Sequence, residues 1–212
     1  MNRLMYHCPR CGAKVGEHCH DASGYGVPHR ERGDGVLVLL SGGMDSSVLM
    51  KRAHKIKRRI VPLFIDYGQP HHDQEKGAAN GLCEALGLDL REVEMGLFGG
   101  LVRGGSPVVP GRNLALIALA VNRAVAEGCS EVQIGCCAAD AATFADCQRH
   151  FIASINNAAS AYDVQVTAPL THTTKREIRD ELGRMFGGTW SCYHPVNSQP
   201  CGECGACKAR ES

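Results

Sequence analysis

The chain has 212 residues, is 44% hydrophobic and 21% charged, and sets 23 Lys and Arg against 22 Asp and Glu. That mixture excludes a disordered or fibrous protein, and the balanced charge excludes one whose main task is gripping a phosphate backbone. Only 5% is aromatic, which excludes a base-stacking platform, whereas 25 Gly and 12 Cys need an account of their own.

Residues 1–34 read as a Cys/His module. Cys8-x2-Cys11-Gly12 opens a zinc knuckle that Cys19 and His29 would complete as a set of three thiolates and one imidazole, with His18 and His20 competing for the fourth place. Small knuckles often touch nucleic acid or another protein, so the module is a candidate recruiter. From residue 35 to 186, short apolar runs alternate with amphipathic segments. Val36–Leu40 is a continuous apolar run between Gly35 and Ser41-Gly42-Gly43, the pattern of a strand buried on both faces. A helix is predicted over Ser46–Arg58, a strand over Val61–Ile65, and a helix over Asp73–Leu86 that Gly87 caps. Leu88–Glu94 reads as a third strand, and after a Gly-rich loop Asn113–Glu127 reads as an apolar, Ala-rich helix. Glu131–Cys136 is a strand, Asp146–Ala161 a helix, Val164–Thr167 a strand and Thr174–Phe186 a helix. Residues 187–212 form a Gly-, Cys- and Pro-rich tail. The alternation predicts an α/β, Rossmann-like parallel sheet with helices on both faces and its ligand beyond the strands' C-terminal ends.

The segment Val36-Leu37-Val38-Leu39-Leu40-Ser41-Gly42-Gly43-Met44-Asp45-Ser46-Ser47 carries the most chemistry. Two glycines let the backbone approach an anion, and the following helix start presents unpaired N–H groups and a positive dipole end. Ser41 and Ser46 offer hydroxyl donors, and Asp45 can steer Mg2+. It is not a Walker loop, because G-x-x-x-x-G-K-[ST] does not occur.

S-G-G-x-D-S after a buried strand resembles the PP-loop ATP pyrophosphatases. Further motifs follow in register: Asp66-Tyr67-Gly68-Gln69, Val109-Pro110-Gly111-Arg112-Asn113, Asp140 with Asp146-Cys147, Thr174-Lys175, and Cys192 with Pro200-Cys201-Gly202-x-Cys204-x-x-Cys207. Together they resemble the 7-cyano-7-deazaguanine synthase family over residues 35–210. The resemblance implies ATP-dependent conversion of 7-carboxy-7-deazaguanine and ammonia to the nitrile, through an adenylated carboxylate and an amide. It implies that Ser41, Gly42, Gly43, Asp45, Ser46 and Ser47 hold ATP phosphates, with Asp66, Tyr67 and Gln69 near the nucleoside. Asp45, Arg112 and Lys175 would then be catalytic, and Arg112, Asn113, Asp140, Phe144 and Asp146 would bind the deazaguanine. A homodimer is implied as well.

The resemblance has departures. The family's D-x-S-G-Y-P-D-C-R becomes Ala142-Thr143-Phe144-Ala145 between Asp140 and Asp146, with Gln148 after Cys147. After Gln69 the family's basic residue is Pro70, and its Glu three residues beyond His71 is Gln74. A ligase that stops at the amide, or that uses another amine, fits the altered loop too. A zinc-dependent binding module with a retired catalytic domain is the reading from another class.

Cys192-x8-Cys201-x2-Cys204-x2-Cys207 matches a closed, structural zinc site of four thiolates, and the family carries zinc at the same place. Cys83 and Cys129 read as small buried hydrophobes. The run Lys51, Arg52, Lys55, Lys57, Arg58 and Arg59 reads as favourable charge at a helix end. Met1–Gly35 lacks an apolar core of signal-peptide length, and Val36–Leu40 is far too short to cross a bilayer. A cytoplasmic, non-membrane protein is the expectation.

Overall fold

Five strands that alternate with helices pair as one parallel sheet, in the order β5-β4-β3-β6-β7. The strands are β3 (Gly35–Leu39), β4 (Ile60–Asp66), β5 (Arg91–Glu94), β6 (Cys129–Gln133) and β7 (Gln165–Thr167). In this computed structural model, residues 8, 10–14, 17, 19–21, 24–26, 35–96 and 109–211 are described, with backbone alone for 19–21 and 24–26. A separate antiparallel hairpin, β1 (Cys19–Asp21) and β2 (Gly24–Gly26), sets Cys19 opposite Gly26.

β3 is central and buried from Gly35 to Val38. Its alternating side chains serve two cores, as period-2 geometry requires. Leu37 joins Val61, Leu63, Ile65 and Val132 beneath α3 (Arg112–Ala126) and α5 (Arg149–Ala159). Val36 and Val38 join Ile60 and Phe64 beneath α1 (Met44–Lys55), α2 (His72–Leu86) and α6 (Lys175–Leu182). The sheet is therefore covered on both faces, as expected for a parallel one.

Element boundaries differ from the sequence pattern where local chemistry interrupts the period. Gly87, at φ 67°, ends α2, and the Leu88 N–H returns to the Cys83 carbonyl at 2.9 Å. Leu88 thus belongs to a helix cap, and β5 begins only at Arg91. α6 stops at Leu182, because Gly183 takes φ 57°, and a tight 3-10 segment, Gly183–Gly188, continues the chain. The helix expected over 146–161 is split into a 3-10 turn, Ala145–Cys147, and α5. Two short helices lie outside the sequence expectation: α4 (Ala138–Thr143) and α7 (Gly205–Glu211).

The basic run at the end of α1 and just after it is used for packing. Lys51 donates to the Glu181 and Leu182 carbonyls, and Arg52 pairs with Glu181 at 2.7 Å. Arg58 pairs with Glu131, and Arg59 donates to the Glu127 and Gly128 carbonyls at 3.0 and 2.6 Å, closing the end of α3. Cys83 and Cys129 are buried, and burial pushes both thiols up to about 11, which keeps them inert.

In the amino-terminal module, Gly12 (φ 74°) donates to the Cys8 carbonyl and Cys8 donates to the Ala13 carbonyl, both at 2.8 Å. Cys8 is buried and Cys11 partly so. The side chains of Cys19 and His20, and all of His18 and His29, lie outside the described residues. Among the described residues no helix is long and apolar enough to cross a membrane.

Candidate active site

From β3 the chain winds to β4 and β5 on one side, then returns to β6 on the other. The crevice between the C-terminal ends of β3 and β6 is the sheet's topological switch point. Two loops rise there, Ser41–Gly43 and Ile134–Cys137.

The first is held by backbone contacts. Gly42 takes φ 73°, and a Cβ on it would stand 2.4 Å from the Glu75 carbonyl oxygen and 2.9 Å from Ala78 Cβ. Only glycine fits against α2 here. The Gly42 carbonyl accepts the Trp190 N–H at 2.9 Å, so the tail also braces the loop. Gly43 caps α1 without a side-chain cap, leaving the first helical amides available. Ser46 and Ser47 are buried, and both hydroxyls donate to the Gly43 carbonyl, at 3.1 and 2.8 Å. Ser41 is exposed, 3.4 Å from the Ser46 hydroxyl.

The second loop packs against the start of α1 through Gly135. A Cβ at Gly135 would lie 2.9 Å from the Ser46 nitrogen and 3.0 Å from Asp45 Cβ. This approach carries Asp140, at the start of α4, towards Asp45. Lys175 stands between them, with Nζ 2.5 Å from Asp45 Oδ2 and 3.7 Å from Asp140 Oδ2. Asp140 is steadied by the Cys137 N–H at 3.0 Å. Lys175 is the first residue of α6, aimed by a capping box in which Thr174 and Glu177 bond reciprocally, at 2.8 and 3.2 Å. Burial works against the Lys175 ammonium, but the two carboxylates outweigh it and hold it above its ordinary value. Burial pushes the Asp45 carboxyl up, with Lys175 opposing, and its second oxygen, Oδ1, is buried without a partner.

Beside this cluster the Arg112 guanidinium lies 5.7 Å from the Tyr67 ring centre, with Nη1 3.5 Å from the phenol oxygen. Burial raises Tyr67 to about 12, so it stays a donor at neutral pH. Asn113 reaches the Asp146 carbonyl at 3.5 Å and the Cys147 sulfur at 3.6 Å, tying α3 to the 3-10 turn after α4. Phe144 packs against the core, and Cys147 is buried. Gln69 is buried and serves its own turn: its Oε1 accepts the Tyr67 N–H at 2.9 Å, and its Nε2 donates to the Ile65 carbonyl at 3.3 Å. Asp66 accepts the Gly68 N–H at 2.9 Å.

In the tail, the sulfurs of Cys192, Cys201, Cys204 and Cys207 all lie within 4.8 Å of one another. A thiolate tetrahedron with Zn–S bonds of ~2.3 Å has edges just under ~4 Å. The separations of 3.5 Å (Cys192 to Cys201) and 4.0 Å (Cys201 to Cys207) suit it. Amides of Cys201, Cys204 and Cys207 point at sulfurs at 3.2, 3.4 and 3.4 Å, an arrangement that favours thiolates. The four cysteines can hold a metal.

Comparison with known proteins bears on this geometry. The model of the family described as "Queuosine biosynthesis protein QueC" matches residues 35–105 and 104–212. The chain belongs to the QueC family. It is 33% identical to the 7-cyano-7-deazaguanine synthase of Synechococcus sp. (strain CC9902), over 83% of this chain and 90% of that protein. It is 34% identical to the protein of the same name from Novosphingobium aromaticivorans, over 83% and 88%. A predicted subunit of a tRNA methyltransferase from Methanocaldococcus jannaschii shares the fold, with TM-score 0.51 and 18% identity over 69% of this chain and 72% of that one.

Within the QueC frame, three residues that carry no motif in the sequence join the site. His71 is buried, 3.4 Å from Glu75, which stands one residue beyond the position where Gln74 departs from the family pattern. The His71 ring lies 5.5 Å from that of Tyr193. Tyr193 in turn sits within electrostatic reach of Arg112, Asp140, Lys175 and Glu75. The one signal for it in the sequence is its place directly after Cys192.

Proposed function

We propose that this chain is an ATP-dependent ligase that converts 7-carboxy-7-deazaguanine and ammonia into 7-cyano-7-deazaguanine. The observation that carries the reading is Lys175, which joins Asp45 of the glycine loop to Asp140 of the neighbouring loop. One cation thereby serves the nucleotide end and the acceptor end together. Relatives that bear the synthase name along most of their length support it.

A carboxylate is a poor electrophile, and ATP supplies the adenylyl group that activates it. The chain's part is positioning and charge screening. Gly42, Gly43 and the first amides of α1 receive phosphate oxygens, with Ser41, Ser46 and Ser47 shaping the loop. The buried, unpartnered Oδ1 of Asp45 fits a Mg2+ ion accompanying the phosphates. Lys175 and Arg112 counter the charge that develops at the carboxylate. Asp140 and Asp146 accept from the guanine-like N–H edge, while Asn113 and Phe144 hold the loop that carries them. Asp66, Tyr67 and Gln69 form the wall at the nucleoside end.

A zinc ion at Cys192, Cys201, Cys204 and Cys207 would have no open position, so its contribution is to folding. The reading extends to an appended module, residues 1–34, holding a second zinc at Cys8, Cys11, Cys19 and His29 and contacting nucleic acid or protein. The Cys8–Gly12 turn supports it.

The deciding experiment incubates the protein with ATP, Mg2+, ammonium and 7-carboxy-7-deazaguanine and weighs the product. The nitrile mass with AMP release is expected. An end product with the amide mass, or no AMP, overturns the reading.

A further inference from the structure

The tail does more than close a metal site, because residues 190–194 are fixed at both ends. At one end Trp190 donates its N–H to the Gly42 carbonyl at 2.9 Å, and its indole N–H returns to the Cys192 carbonyl at 2.8 Å. At the other, Cys192 Sγ accepts the His194 N–H at 3.3 Å, and the Tyr193 N–H donates to Cys204 Sγ. Tyr193 is therefore held between two anchors, the glycine loop and the four-cysteine cluster. Its ring lies tilted at 55° to that of His71, itself buried beside Glu75.

Tyr193 also stands within electrostatic range of the charges of the site. Phe144, the aromatic residue the resemblance assigns to the deazaguanine, packs against the core with Ile152 and Cys147. Tyr193 lies within electrostatic range of Arg112, Asp140, Lys175 and Glu75, and its backbone is tied through Trp190 to the Gly42 carbonyl. An amphipathic ring with a hydroxyl at its tip, among two cations and two carboxylates, suits a planar heteroaromatic that carries a carboxylate.

We infer that Tyr193 is a substrate-positioning residue for the flat deazaguanine ring, and that the four-cysteine cluster holds it in place. The inference rests on the ligase reading for the identity of the ring. For the coupling between the cluster and the site it rests on the geometry alone.

Two measurements test it. Tyr193→Ala and Tyr193→Phe are prepared with metal content equal to the parent. The Ala variant is expected to raise KM for 7-carboxy-7-deazaguanine at least about tenfold with KM for ATP within about twofold, and the Phe variant to recover most of the loss. A direct titration with 7-carboxy-7-deazaguanine gives the same ratio without turnover, so absence of nitrile product would sink the ligase reading and leave Tyr193 standing. Equal rises in both KM values, or none, overturn the inference. Separately, amide hydrogen exchange is compared in parent and Cys204→Ser protein. Protection is expected to fall at Gly42–Ser47 and Tyr193 and to persist in β3 and β4. Unchanged exchange at Gly42–Ser47 would show that the cluster does not hold the site.

Discussion

The loops that leave β3 and β6 lie side by side and are built by different means. From Ser41 to Ser47 the shape is set by backbone: Gly42 wedged against α2, its carbonyl held by Trp190, and two buried hydroxyls turned to one carbonyl. The neighbouring loop meets the first closely at Gly135, then rises into a six-residue helix whose Ala139, Ala142 and Thr143 are exposed. The departures from the family pattern between Asp140 and Asp146, Ala142 to Ala145, fall in that second, open stretch. Phosphates are met by amides, which nearly every residue carries, so there the constraint is steric and falls on glycine. In the proposed function a guanine-like edge is met by side chains, which leaves that loop free to change around Asp140 and Asp146.

This contrast sets an order of sensitivity. Gly42→Ala is expected to do most damage, because Ala must adopt φ 73° and push against a carbonyl 2.4 Å away. About 2–4 kcal/mol of stability should be lost, read by denaturant unfolding, together with ATP binding. A variant with parental stability and ATP affinity would erase the distinction between the loops. Lys175→Ala comes next, leaving Asp45 and Asp140 facing each other. It should cost roughly 10²–10³ in kcat for AMP release, with the fold retained. If Lys175→Ala turned over at the parental rate, the two loops would not share a catalytic cation.

The smallest effect lies away from both loops. Burial would raise the Glu131 carboxyl, but bonds from Thr167 at 2.6 Å and Gln133 at 2.9 Å, with the Arg58 pair, hold it below its ordinary value. A lowered folded-state value contributes stability above the unfolded glutamate pKa near ~4.3, lost as pH falls through the folded one. Glu131→Gln should therefore unfold about 1 kcal/mol more easily at pH 7, with the gap narrowing below about pH 4. A gap that stays constant with pH would assign the effect to packing rather than to charge. Activity per folded molecule should not change, which would confine function to the two loops.

Much of this protein is legible in the chain itself because its signals are local. Val36–Leu40 declares a doubly covered strand, Gly87 a helix end, Ser41–Ser47 a glycine turn into a helix, and Cys192 to Cys207 a cysteine cluster, each within a few turns of chain. α4 and α7 are not legible, because six or seven residues give too little periodicity and Ala138–Thr143 has no apolar stripe. Nor are the partners of the site residues. Lys175 meets Asp45 across 130 positions, Trp190 meets Gly42, and Tyr193 meets His71. Gln69, placed near the nucleoside by the sequence, also braces its own turn, a role that no local pattern announces. Sequence determined which residues can do chemistry, through residue type and spacing. Tertiary structure decided which of them meet, because contacts between distant segments depend on how helices pack on the sheet, and no local pattern encodes that.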